Sequence, residues 1–147
     1  LPAPKPLASP VIGAGRVGGL LPDVLLTGRA QPDHARDLRP GVVMLVGPSC
    51  DCLTSVRQVV AATAREGLVL YLVEAGASLD QVLSLATRAG GRVGPYADPG
   101  GALARAYGLR TAAALVLVRD DGVVTQVVEA VGPSLRLTEP LRHLVSP

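Results

Sequence analysis

Two apolar runs, each followed at once by a helical pattern, restrict this chain more than any other feature. Residues 41–46 read Gly-Val-Val-Met-Leu-Val and residues 68–73 read Leu-Val-Leu-Tyr-Leu-Val. Runs of this length suit strands buried on both faces, as in a parallel sheet covered by helices. After the first run, Leu53, Val56, Val59, Val60 and Ala64 recur at helical spacing, which predicts a helix over 50–65 that Gly67 stops. After the second, Ser78 offers a cap, and Leu79, Val82, Leu83 and Ala86 share one face until Gly90-Gly91 ends the pattern. Such an order calls for parallel strands joined by crossover helices.

Further along, a short strand over 92–96 leads to Asp98-Pro99, a capping Asp with Pro at the first helical position, and to a helix ending at Tyr107-Gly108. Strands over 113–118 and 123–129 flank Asp120-Asp121-Gly122, a hairpin turn signal in which the two aspartates are turn residues. A closing helix is expected over 134–145. Upstream, 20–27 offers one short strand interrupted near its start by Pro22, and 1–19 reads as a Pro- and Gly-rich spacer. The fold class is therefore α/β: one domain over 20–147, with a central mixed β-sheet, helices on both faces, and a C-terminal hairpin plus helix.

Composition agrees. At 147 residues and 48% hydrophobic the chain can build a real core, and with three Tyr, no Phe and no Trp that core must come from small aliphatic side chains. Tyr96 and Tyr107 are expected to pack into it. The net charge is only +2 and the arginines are dispersed, so no nucleic-acid footprint is present. No apolar stretch approaches the ~20 residues of a membrane helix. A proline-rich start suits an extracytoplasmic domain, secreted, periplasmic or tethered to a membrane before residue 1; an ordinary terminus would read the same way.

Cys50 and Cys52 are the only cysteines, and they sit where the first buried run gives way to a helix. A thiol there meets unpaired N–H groups and the positive end of the helix, which favours thiolate. Two residues apart on a regular helix point to nearly opposite sides, so a Cys50–Cys52 bridge requires Cys50 to lie in the turn before the helix. So short a ring is strained and comparatively oxidising. Reduced or purely structural thiols are the plain alternative, and Cu(I) held by both thiolates is another. The only histidines that could assist a metal, His34 and His143, read as surface or packing residues. Zinc would need more ligands than these.

The order of elements, with paired cysteines after the first core strand, resembles the thioredoxin-like superfamily over roughly residues 20–144. Leu21-Pro22-Asp23-Val24 resembles the Pro-Asp-aromatic entry of peroxiredoxins and of exported thiol-disulfide oxidoreductases. Residues 42–52 resemble the strand and redox turn, and 98–110 with 115–122 resemble the approach to the facing loop and the final hairpin. The resemblance implies a thiol-disulfide oxidoreductase acting on protein thiols or disulfides without cofactor or metal, with Cys50 attacking and Cys52 resolving. It also implies substrate contacts at Ser49, Asp51, Arg110, Thr111, Ala112 and Ala113. Arg110 and Thr111 would steer an acidic partner or hydrogen-bond a sulfur species, unless that loop is simply solvated.

Two departures stand out. Leu53 occupies the usual place of the resolving cysteine, and Ala113 the usual place of a cis-proline. A noncatalytic protein-binding or Cu(I)-binding module is therefore the alternative. A peroxiredoxin-like peroxidase is third, because Gly47 or Ser49 falls where that signature carries threonine.

Overall fold

In the structure, a computed structural model describing residues 5–47, 50–109, 113–129 and 136–145, both apolar runs lie inside one sheet. The elements follow as β1 (Leu25–Leu26), β2 (Asp33–His34), a 3₁₀ turn (Ala35–Asp37), β3 (Gly41–Val46), α1 (Leu53–Arg65), β4 (Val69–Ala75), α2 (Leu79–Ala89), β5 (Val93–Asp98), α3 (Ala102–Ala106), β6 (Ala113–Val118), β7 (Val124–Val128) and α4 (Thr138–Arg142). The main sheet has the order β5-β4-β3-β6-β7. β3 pairs parallel with β4 and antiparallel with β6; β4 and β5 are parallel, β6 and β7 antiparallel. The expected mixed sheet with a terminal hairpin is thus observed, and neither apolar run is at an edge.

Every residue of β3 and β6 is buried, because the sheet is covered on both sides. Strand alternation divides the core. Val42, Met44 and Val46, with Leu70, Leu72, Leu115 and Leu117, join α1, α2 and α4 on one face. Val43, Leu45, Val73, Val116 and Val118 meet Leu103 of α3 and Leu21, Leu26 and Leu38 of the entry segment on the other. Tyr96 and Tyr107 pack against this second layer, as expected.

Some helix ends follow local sequence signals and others depart from them. α1 stops at a Schellman turn, in which Gly67 N–H donates to the Ala64 carbonyl and Leu68 N–H to that of Thr63, with Gly67 at φ +67°. α2 begins with a reciprocal cap between Ser78 and Gln81. α1, however, starts at Leu53 rather than Cys50, with Cys52 as its cap residue. α3 starts at Ala102, and Pro99 lies in the preceding turn instead of the first helical position. Gly101 at φ +66° breaks the pattern there, although the Asp98 carboxylate still caps the helix from further back. The closing helix is limited to Thr138–Arg142, and the expected start at Ser134 lies outside the described residues. The single strand expected over 20–27 is reduced to β1 and isolated bridges at Leu20 and Thr27.

The hairpin turn is held by Asp121, whose carboxylate accepts from the Val123 N–H at 3.2 Å and from the Arg119 guanidinium at 2.6 and 3.1 Å. Residues 5–19 form no helix or strand but lie along this hairpin. Ala8 N–H donates to the Asp121 carbonyl, Gly18 N–H to that of Val124, and Val124 N–H to that of Gly19. The Arg39 guanidinium bridges the carbonyls of Lys5 and Asp120.

The Arg119 hydrogen bonds hold the Asp121 carboxyl below its ordinary value of 3.8. A folded value that is lowered stabilises the fold above the ordinary value, and this contribution is lost as pH falls through the lowered one. Asp121→Asn should cost about 1 kcal/mol at neutral pH and little at about pH 2, as read by urea unfolding at both.

Candidate active site

β3 ends at Val46, and one residue later the Gly47 carbonyl accepts from the Cys50 N–H at 3.2 Å, ahead of α1. Cys50 and Cys52 are joined by a disulfide, with their Cα atoms 5.2 Å apart. The bridge is possible because Cys50 stays out of the helix, as the two-residue spacing demanded. Cys52 is buried at 4% exposure within the same apolar cluster as Val46 and Val56, while Cys50 is half-buried at its margin. The pair is thus asymmetric: an incoming reagent meets Cys50 first.

The later start of α1 also changes which sulfur the helix serves. Cys52, as the cap residue, stands at the positive end of α1, and its side chain makes no capping hydrogen bond. When the disulfide is attacked at Cys50, the electron pair departs on Cys52, and the helix end stabilises that leaving thiolate. A better-stabilised leaving thiolate departs faster. The positive end of α1 therefore serves Cys52 more directly than Cys50, and Cys50 is set apart by exposure.

A cavity of about 430 Å³ opens beside the disulfide, between the α1 start and one face of α2 from Asp80 to Arg88. Glu74, near the end of β4, lies on its wall. Pairing places Glu74 beside Val46, and Val46 beside Ala113, so the three stand in a row across the sheet at the end where the thiols sit. Burial holds the Glu74 carboxyl above its ordinary value of 4.5, with the Arg88 guanidinium opposing the shift. Sequence reasoning missed Glu74. The available signal was an acid closing a buried parallel strand adjacent to the thiol-bearing one, at the carboxyl end where α/β sheets bind ligands.

Of the other expected site residues, Asp51 is exposed on the cavity wall, ahead of the α1 cap. Ala113 opens β6 at 7% exposure, in the apolar cluster that also holds Cys52, so β6 begins at the thiol end of the sheet. Ser49, Arg110, Thr111 and Ala112 lie outside the described residues. His34 pairs with Asp23 at 3.3 Å and His143 with Glu139 at 3.1 Å, both on the surface, and neither lines the cavity.

No family model and no curated protein matches the chain. Solved structures do. A secreted Mycobacterium tuberculosis disulfide oxidoreductase homologous to E. coli DsbE is 16% identical, with a TM-score of 0.64 over 83% of this chain and 96% of that one. MTB DsbF, in mixed oxidised and reduced forms, is 17% identical, with a TM-score of 0.65 over 83% and 95%. The exposed lipoprotein thioredoxin Etrx1 of Streptococcus pneumoniae is 17% identical, with a TM-score of 0.61 over 84% and 100%. Strand order, the helix that follows β3, and agreement with these structures over most of its length together identify this chain as a thioredoxin-like fold carrying a Cys-x-Cys disulfide at the end of its central strand.

Proposed function

We propose that this protein is a thiol-disulfide oxidoreductase that exchanges the Cys50–Cys52 bond with the thiols of other proteins in an extracytoplasmic compartment. The observation that carries the reading is the asymmetric disulfide, one sulfur half-buried and the other enclosed at a helix start, in a thioredoxin-like fold. A substrate thiolate attacks Cys50 Sγ, the Cys50–Cys52 bond breaks, and a mixed disulfide remains on Cys50 while Cys52 takes the electron pair and then a proton. A second substrate thiolate attacks the substrate sulfur of the mixed disulfide and releases Cys50 as thiolate; the reverse sequence oxidises the pair. In this reading the substrate contacts Ala113 and Asp51 beside the disulfide, and the same role is proposed for Ser49, Arg110, Thr111 and Ala112. Location outside the cytoplasm is supported by the secreted and surface-exposed nature of two of the similar proteins and by the compartments where disulfides persist. The Cu(I) reading gains no support, since Asp23 and Glu139 engage the two histidines elsewhere.

In this scheme Glu74 supplies the proton that the enclosed Cys52 thiolate needs. Glu74→Gln should slow reduction of the disulfide about tenfold at neutral pH, the low end of general acid effects. In the wild type the rate per thiolate should fall as pH rises through the Glu74 value, above 4.5, and in the variant that limb should vanish. A raised carboxyl value weakens the fold at higher pH, so the substitution should leave stability unchanged or increased. Rate loss with an unaltered pH profile would remove Glu74 from the proton path.

A further inference from the structure

Resting on the exchange reading, we infer that the disulfide selects cationic partners, meaning cysteines carried on basic peptide segments, over anionic ones. Among the described residues, the wall of the cavity that holds Cys50 carries three acidic side chains, Asp51, Glu74 and Asp80, and one cation, Arg88. They come from separate elements: Asp51 precedes α1, Glu74 is next to last in β4, and Asp80 lies in the first turn of α2. The chain as a whole is at +2, so the negative field at the disulfide runs against the net charge and belongs to this site. Arg57 does not relieve it: its guanidinium donates to the Arg88 carbonyl at 3.1 Å and is not on the cavity wall. A concave wall of low dielectric focuses such a field on whatever approaches the sulfur. An attacking thiolate is itself an anion, so a neighbouring ammonium or guanidinium on the same partner offsets the repulsion it meets.

The test compares two small thiols of opposite charge, 2-aminoethanethiol and 2-mercaptoethanesulfonate, as reductants of the wild-type protein. In each case the first thiolate forms a mixed disulfide on Cys50 and frees Cys52. A second thiolate then leaves as the probe disulfide, so two thiols are oxidised and one protein disulfide is reduced. Rates are expressed per thiolate and followed by acid quench, alkylation and mass measurement. The cation should react about tenfold faster than the anion at an ionic strength of about 0.01 M and about twofold faster at about 1 M, where the screening length shrinks to a few ångströms. Asp80→Asn should narrow the low-salt ratio and Arg88→Gln should widen it. These opposite movements are not what damage to the fold would produce. Equal rates at low salt, or a faster anion, would overturn the inference while leaving the exchange reading intact. Failure of both thiols to open the bond in the folded protein would overturn the exchange reading, and this inference with it.

Discussion

Cys50→Ser should reduce thiol-disulfide exchange to the uncatalysed background, while Cys52→Ser should convert the protein into a trap that accumulates a mixed disulfide on Cys50. The asymmetry follows from burial. Without Cys50, the remaining thiol is 4% exposed among Val46, Val56 and other apolar side chains, where a partner sulfur cannot align for attack. Without Cys52, Cys50 keeps its half-buried position at the cavity and attacks a disulfide substrate, but no second thiol exists to release the product. Because the chain has no other cysteine, adduct mass and site are unambiguous. Equal trapping by both single variants would show that the two sulfurs are interchangeable and would remove the assigned roles.

The largest effect on stability is expected at Asp98. It is 3% exposed, and its carboxylate accepts from the N–H groups of Ala102 at 3.2 Å and Leu103 at 2.8 Å, tying the start of α3 to the end of β5. Asp98→Ala leaves both donors without their acceptor, and α3 carries Leu103, fully buried in the second core layer. The cost should be about 3 kcal/mol by urea unfolding, combining a lost cap with buried donors left unsatisfied. Asp98→Asn retains one acceptor oxygen and should cost about half as much. A loss under about 1 kcal/mol for Asp98→Ala would mean that α3 docks through Leu103 alone.

Much of this architecture was legible because several elements are governed by local rules. β3 and β6 occupy the predicted residues, since a strand enclosed on both faces must be apolar without interruption. α2 was marked by the Ser78–Gln81 cap and by the glycines that end it. What escaped was fixed by distant partners. The start of α1 is the local exception: the Cys50–Cys52 bridge holds Cys50 in the turn before the helix, as a bridge at two-residue spacing requires. Residues 5–19, outside any helix or strand, are held by backbone hydrogen bonds to a hairpin about a hundred residues later, for which sequence carries no local signal. Glu74 went unnoticed because an acid ending a strand ordinarily marks the solvent boundary. Only the pairing of Glu74 with Val46, and Val46 with Ala113, places it next to the thiols.

The central claim, that Cys50 and Cys52 form a reversible redox couple in the folded protein, is tested most directly by equilibrium titration. The protein is incubated in thiol-disulfide buffers of graded potential, quenched in acid, alkylated and weighed. One reversible two-electron transition is expected, with both sulfurs changing together, at a midpoint more oxidising than roughly −270 mV, as befits a short ring with one accessible sulfur. A bond that opens only when the chain unfolds, or thiols that never re-form it while the chain is folded, would contradict the claim.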